Sequence, residues 1–358
     1  MSNADIRIKN YESLVSPGEL AKSLPVPPEA AAKIEESRKI VNAILKGEDE
    51  RLLAIVGPCS IHDPIAAMEY AQKLKGLSDK ISDKIYIVMR TYFEKPRTVG
   101  GWKGLIIDPD MDQSYDIQKG LTTARKLLID IVSLGLPVGC EVLDPVVPQY
   151  IDELMSWSAI GARTTESQTH RNISSGLSVP VGFKNSTNGG VINAINAIKS
   201  AKLPAAFIGV DRNGQTSVIR TTGNDCGHLI LRGGDKGPNY YEDEVEHAKQ
   251  LLLKNGVEPS IIIDCSHANS GKKFYRQARV LRSVVDQVLW GDKSIRGLMI
   301  ESNLHEGNQE IGEDLTKLKY GVSVTDECIC FEETERILIK VDDLLVRAER
   351  DETLTRPL

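Results

Sequence analysis

The chain has 358 residues, of which 41% are hydrophobic and 26% charged, and a formal net charge of -6 at pH 7. That length suits one large domain, and the apolar content supports a sizeable core, which excludes wholesale disorder. The acidic balance excludes a non-specific polyanion binder, so no nucleic-acid partner is expected, although a local basic cleft inside an acidic shell stays open.

The opening stretch MSNADIRIKNYESL has no continuous apolar segment. Nowhere does the chain reach the roughly 18 consecutive apolar residues of a membrane span. No export signal and no membrane association are therefore expected, and a soluble, cytoplasmic protein follows. Residues 1–50 form an N-terminal extension: a polar lead, the proline-punctuated SLPVPPEAAAKI, then a helical pattern through EESRKIVNAIL to Gly47. Its apolar stripe has no core of its own, which predicts packing on the main domain or on another subunit.

From Leu52 the pattern becomes strand, polar loop, helix, repeated. Short apolar runs fall near 52–56, 85–89, 137–141, 159–162, 180–184, 228–232, 260–264 and 296–300. Between them AAMEYAQKLKGL, GLTTARKLLIDIVSLG, VPQYIDELMSW, THRNISSGL, GGVINAINAIKSA, EDEVEHAKQLLLKNG and RQARVLRSVVDQVLW read as helices. Eight such steps over residues 51–358 predict an α/β fold, a closed (β/α)8 TIM barrel, in preference to an open doubly wound sheet. One segment exceeds the count: AAFIGV, DRNGQ and TSVIRTT, near 205–221, read as an inserted β-hairpin turning at Asn213-Gly214, with a ninth core strand as the alternative. The six cysteines are sparse and are expected to be thiols or thiolates, and Cys328-x-Cys330 is too tight a spacing for a zinc knuckle.

The chemistry sits where the apolar runs stop. Cys59, Arg90, Glu141, Arg163, Lys184, Arg232, the pair Asp264 and His267, and Glu301 each follow one of them. The C-terminal ends of barrel strands are where barrel enzymes place catalytic groups. Cys59, His267, Glu301 and Asp326 offer one thiolate, one imidazole and two carboxylates, a mixed donor set for one divalent metal ion per subunit, open to Mn, Fe, Co, Zn or Cu. Arg90, Lys95, Arg97, Arg163, Lys184 and Arg232 form the opposing set. Buried like charges need neutralising anions, which predicts a substrate set with more than two negative charges; salt bridges to Glu141, Glu166 and Asp264 are the alternative. The loop YFEKPRTVGGWKG at 92–104 is dense in donors able to close over a phosphate, and its Trp102 is expected to anchor the loop. Among the six histidines only His267 is singled out.

The motifs GPCSIHD, RTYFEKPRTVGGWKG, GARTTESQTHR, GFKNSTNGG, LRGG and DCSHANSGK occur in order on successive steps. Together they resemble the type I 3-deoxy-D-arabino-heptulosonate 7-phosphate (DAHP) synthases, along essentially the whole chain. The resemblance implies condensation of phosphoenolpyruvate with erythrose 4-phosphate at the head of the shikimate pathway. It implies metal ligation by Cys59, His267, Glu301 and Asp326, and capture of phosphoenolpyruvate by Arg90, Lys95, Arg163, Lys184 and Arg232, with Glu141 close by. Arg97 and Thr98 would hold the four-carbon phosphate, and Lys95 would protonate the aldehyde oxygen. A homodimer or homotetramer is implied, as is an aromatic amino acid effector in a cavity lined by Gln149, Ser178, Phe207, Gly209 and Ile219; glycine at 209 favours tyrosine. GFKNSTNGG departs from the family form GFKNGTDGT at Ser186 and Asn188, which bears on the loop beyond Lys184.

Overall fold

The computed structural model describes residues 4–97 and 99–350. Its strands are β1 (Leu52–Gly57), β2 (Ile85–Arg90), β3 (Val138–Glu141), β4 (Trp157–Ile160), β5 (Val181–Lys184), β6 (Ala206–Val210), β7 (Thr216–Arg220), β8 (Gly227–Leu231), β9 (Ile261–Asp264) and β10 (Ile295–Glu301). Eight of them close into a barrel in the order β1-β10-β9-β8-β5-β4-β3-β2, with every pairing parallel. Strands β6 and β7 pair only with each other, antiparallel, from Ala206↔Arg220 to Val210↔Thr216, so this segment is the inserted hairpin and not a ninth core strand. The run expected at 159–162 is shifted: β4 ends at Ile160, which leaves Arg163 in the turn beyond it.

The helices are α1 (Pro17–Ser23), α2 (Pro28–Lys46), α3 (Pro64–Lys80), α4 (Ile117–Ser133), α5 (Pro148–Ile151), α6 (Gln168–Ser174), α7 (Ile192–Ala201), α8 (Glu242–Lys254), α9 (Gln277–Leu289) and α10 (Phe331–Arg350). Two lie outside the expected set. Helix α1 starts on a capping box in which Ser16 and Glu19 satisfy each other's backbone N–H groups. Helix α10 closes the barrel's outer ring by burying Ile337, Leu338 and Val341. The helix expected through VPQYIDELMSW is cut to α5 and one tighter turn, because Arg38 of α2 draws the Asp152 and Met155 carbonyls to itself at 2.7 and 2.8 Å. No helix among the described residues is long and apolar enough to cross a membrane.

Two apolar layers hold this frame. One lies between strands and helices; the other fills the lumen, where Leu53, Ile55, Val88, Trp157, Ile230, Ile262 and Met299 meet Val41, Ile44 and Leu45 of α2. The N-terminal extension therefore plugs the bottom of the barrel. Trp157 fits because its neighbours are glycines: a Cβ on Gly139 would meet the indole at 2.8 Å, and one on Gly182 would meet His228 Nε2 at 2.8 Å. Trp157 Nε1 donates to His228 Nε2 at 3.0 Å, so this buried imidazole is held neutral.

Burial pushes the His228 pKa down to about 4. The unfolded histidine gains a proton from about pH 6.5 downward and the folded one does not, so stability falls between pH 6.5 and 4. At pH 4.5 this one group is expected to cost about 2–3 kcal/mol relative to pH 7. Calorimetry on His228→Gln should show a smaller fall in Tm between those pH values than the parent; an equal fall would assign the acid sensitivity elsewhere.

Candidate active site

Closure of the barrel sorts the strand-end chemistry into two halves. Adjacent strands β1, β10 and β9 lead into Cys59, Glu301 and His267, while β8, β5, β4, β3 and β2 lead into Arg232, Lys184, Arg163, Glu141 and Arg90. Pairing of Gly57 with Glu301 sets the start of the Cys59 turn beside that carboxylate.

On the first half, Cys59 Sγ and carboxylate oxygens of Glu301 and Asp326 all lie within 4.8 Å of one another. His267 approaches the same point, with Nε2 at 3.8 Å from Glu301 Oε1. Its Nδ1 lies 2.9 Å from Asp264 Oδ2 and 2.7 Å from Ser266 Oγ. Donation from Nδ1 to Ser266 Oγ, which in turn donates to Asp264 Oδ1 at 2.6 Å, leaves the Nε2 lone pair facing the cluster, the arrangement that orients metal-binding histidines. Asp264 is fully buried; burial opposes its charge, but His267, Lys184 and Arg90 prevail and hold it below the usual carboxylate range. His267 occupies the left-handed region at φ 52°, a local strain that aims its side chain inward. The thiol and two carboxylates gathered here fit a divalent transition metal, while His267, outside that three-residue cluster, comes near it through Glu301. Burial, then Glu301, push the Cys59 thiol up to about 11, against the pull of Lys95.

Lys95 joins the halves: its Nζ lies 3.0 Å from Cys59 Sγ. Burial works to strip its proton, but Cys59, Glu301 and Asp326 override that and hold its pKa above the ordinary lysine value.

On the second half the cations line a cavity of about 240 Å³. Arg90, Lys95, Arg97, Arg163, Lys184, Arg232 and Lys272 face it, against only two carboxylates, Glu141 and Asp326. Arg90 and Lys184 are among the cations paired with carboxylates. Arg90 donates to Glu301 Oε1 at 3.1 Å and lies 3.9 Å over the Tyr92 ring; Lys184 donates to Glu141 Oε2 at 3.0 Å. Burial opposes the Glu141 charge, and Lys184, Lys95 and Arg90 lower its pKa below the ordinary value. Internal pairing thus holds for part of the set, while the excess positive charge at the mouth favours anions.

Arg97 is exposed at the rim, with Nε donating to Trp102 O at 2.9 Å. The Trp102 indole is buried and donates to Asp108 O at 2.7 Å, so this tryptophan anchors the loop. Thr98 lies outside the described residues. Tyr92 and Lys272 line the cavity but were not singled out from sequence; Tyr92 sits two residues past Arg90, where strand alternation returns a side chain to the same face.

A second cavity, also about 240 Å³, lies between α1, α5 and the hairpin. Gln149, Ser178, Phe207 and Ile219 line it, along with Asp152, Glu153 and Arg212. Gly209 stands behind this lining: a Cβ there would meet Ile219 Cγ1 at 2.8 Å.

Residues 28–339 match the family described as the DAHP synthetase I family. The Tyr-sensitive phospho-2-dehydro-3-deoxyheptonate aldolase of Escherichia coli (strain K12) is 51% identical over 337 residues, 94% of each chain. The Phe-sensitive protein of the same organism is 51% identical over 336 residues, 94% of this chain and 95% of that one. The solved structure of phospho-2-dehydro-3-deoxyheptonate aldolase from Francisella tularensis SCHU S4 superposes with a TM-score of 0.92 at 47% identity, covering 94% of this chain and 98% of that chain.

The donor cluster makes a direct demand on Cys59. Cys59→Ser replaces a soft ligand by a weakly acidic hydroxyl of similar volume, and is expected to lower bound metal and turnover together by at least about tenfold at limiting metal. Elemental analysis beside steady-state rates checks this; unchanged metal content would remove Cys59 from the donor set.

Proposed function

We propose that this chain, which belongs to the DAHP synthetase I family, is a metal-dependent 3-deoxy-7-phosphoheptulonate synthase that uses the strand-end residues above as its catalytic machinery. It condenses phosphoenolpyruvate with D-erythrose 4-phosphate and water to give DAHP and phosphate, the first step of the shikimate pathway. The observation that carries the assignment of residues is the cavity in which seven cations face two carboxylates beside the Cys59, Glu301 and Asp326 cluster. Two phosphates and one carboxylate repel each other in water, and only such a surplus of fixed positive charge holds them together.

Arg163, Lys184 and Arg232 surround phosphoenolpyruvate, with Arg90 at the floor, while Arg97 at the rim takes the phosphate of the four-carbon sugar. Cys59, His267, Glu301 and Asp326 hold the divalent ion. The chemistry such an ion supplies when bound is Lewis-acid polarisation of a carbonyl oxygen. C3 of phosphoenolpyruvate attacks the aldehyde carbon, and Lys95, kept protonated by its anionic neighbours, gives its proton to the aldehyde oxygen. Positive character develops at C2 and water adds there, with the ionised Glu141 orienting it. One proton of that water restores Lys95, and the resulting hemiketal phosphate breaks its C2–O bond to the phosphate, the remaining hydroxyl proton leaving with inorganic phosphate as the C2 ketone forms. No redox change occurs, so several divalent ions serve.

The second cavity is read as the site of an aromatic amino acid effector, tyrosine by preference. Asp152 and Glu153 suit its ammonium group, Arg212 its carboxylate, and Phe207 and Ile219 its ring. The same region supports assembly: Ile6 and Tyr11 of the arm are 79% and 77% exposed, and Ile208 and Val218 on the hairpin's outer face 81% and 65%. Covering these apolar surfaces supports a homodimer or a pair of dimers. Both substrates carry phosphate and are retained by that charge, which supports action in the cytoplasm.

Phosphoenolpyruvate loss strictly matched by phosphate release, and dependent on erythrose 4-phosphate, tests the reaction; phosphate release without the sugar would contradict it. Tyrosine is expected to inhibit at subsaturating phosphoenolpyruvate. Gly209→Ser, by driving Ile219 into the cavity, should raise the inhibitory tyrosine concentration about tenfold, in keeping with the roughly 1–2 kcal/mol cost of overfilling a small volume. Metal content and uninhibited turnover should hold; inhibition by phenylalanine but not tyrosine would overturn the choice. Deleting residues 1–15, which spares the barrel plug in α2, is expected to weaken self-association in light scattering, whereas a monomer with or without the arm would contradict the assembly.

A further inference from the structure

The loops carrying Lys184, Arg232 and His267 leave three different strands, and three asparagine side chains join them. Asn185, directly after Lys184, is fully buried. Its Oδ1 accepts from the Arg232 backbone N–H at 2.8 Å and from Asn239 Nδ2 at 3.1 Å, while its Nδ2 donates to the Ser186 and Gly233 carbonyls, both at 2.9 Å. Every hydrogen-bonding valence of this amide is used, and a flipped amide would set donor against donor. Asn269, two residues past His267, donates to Leu231 O at 3.1 Å and Asp264 O at 2.8 Å, and its Oδ1 accepts from the Asn239 backbone N–H at 2.8 Å.

Asn239 is where these two amides meet, and it has one further task. Gly233 follows Arg232 at φ 74°, in left-handed backbone, so tightly placed that a Cβ would lie 2.7 Å from Asn269 N. Its buried N–H needs an acceptor, and Asn239 Oδ1 supplies one at 2.7 Å. The backbone on both sides of the Arg232 Cα is thereby tied, at its own N–H through Asn185 and at the next N–H through Asn239.

We propose that Asn239 is a positioning residue for phosphoenolpyruvate: by bridging Asn185, Gly233 and Asn269 it fixes the backbone from which Arg232 reaches the cavity. This rests on the assignment of Arg232 to phosphoenolpyruvate made above. The Asn239 side chain hydrogen-bonds to Asn185 and Gly233, and Asn239 is not among the residues lining the two cavities above or forming the donor cluster. Lys95, Cys59 and Glu301 are reached from β2, β1 and β10, outside this network, and the His267 loop keeps its own ties, from Asn269 Nδ2 to Leu231 O and Asp264 O, when the Asn239 side chain is removed. Loosening the network therefore acts on capture of one substrate, while proton transfer and the metal site are spared.

The test is steady-state kinetics with phosphoenolpyruvate and erythrose 4-phosphate on the metal-loaded full chain, for Asn239→Ala, Arg232→Ala and the double variant. Asn239→Ala is expected to raise the KM for phosphoenolpyruvate about 5- to 10-fold, the size of one or two lost neutral hydrogen bonds, with kcat and the KM for erythrose 4-phosphate within about twofold of the parent. In the Arg232→Ala background the same change should add nothing, because it acts through that side chain. Asn239→Ser, a smaller disturbance at this half-buried position, should show the same split at reduced size and serves if the alanine variant does not fold. A uniform loss of kcat with unchanged KM, or full additivity with Arg232→Ala, would overturn the inference while leaving the pocket intact. An unchanged KM in Arg232→Ala itself would instead overturn the assignment of Arg232, and the inference with it.

Discussion

The ion pair between Arg90 and Glu301 lies at the boundary between the apolar lumen and the reactive mouth, with side chains 0% and 2% exposed. Removing two charges from water costs several kcal/mol per ion in a real protein, and attraction offsets that only when the remaining hydrogen-bonding capacity is also met. On the Arg90 side it is met, and on the other the backbone of Glu301 is pinned. Arg90 has the Met299 sulfur at 2.7 Å, the Pro58 carbonyl at 3.4 Å and the face of Tyr92; the Glu301 backbone is gripped at both N–H and C=O by Gln277. Loss of either partner would leave an unpaired buried charge. The pair holds Glu301 in place beside Cys59 and fixes Arg90 at the floor of the cationic cavity, so one interaction serves both halves of the site.

Separation of those halves is a property of barrel closure. Strand order sets the soft and anionic donors on one arc and the cations on the other, and Lys95 at the seam contacts the cluster while facing the cavity. Beneath them the lumen is packed solid around Trp157, with glycines at 139 and 182 making room and α2 closing the bottom. A rigid lower barrel is the condition for precise geometry above, since catalytic groups on strand ends inherit the strands' positions.

The strand pattern was legible because parallel strands buried on both faces read as uninterrupted apolar runs, and of the residues ending those runs Arg90, Glu141, Arg163, Lys184, Arg232 and His267 line one cavity. The hairpin was legible from Asn213-Gly214. Partnership was less so. That Arg90 would meet a carboxylate 211 positions away, or that Lys184 would meet Glu141 in particular among several acids, follows from which strands close the barrel and in what register, which local pattern does not carry. The Asn239 bridge depends likewise on three loops converging. Helix α10 is a different kind of miss: its apolar positions repeat at helical spacing through Ile337, Leu338 and Val341, a signal present in the chain. The early end of α5 had no such signal, since it depends on Arg38 reaching across from α2.

The proposed metal ion would sit at the end of β1, β10 and β9, beside the cationic cavity on the other strands. Anomalous diffraction from crystals grown with Mn²⁺ and phosphoenolpyruvate tests both at once. The expected result is one strong anomalous peak per subunit within roughly 2.0–2.4 Å of Cys59 Sγ, His267 Nε2, Glu301 and Asp326, with the phosphoenolpyruvate phosphate and carboxylate against Arg163, Lys184 and Arg232. A fully active enzyme whose bound Mn²⁺ lies away from Cys59 and Glu301, or whose phosphoenolpyruvate lies outside that cationic arc, would contradict it.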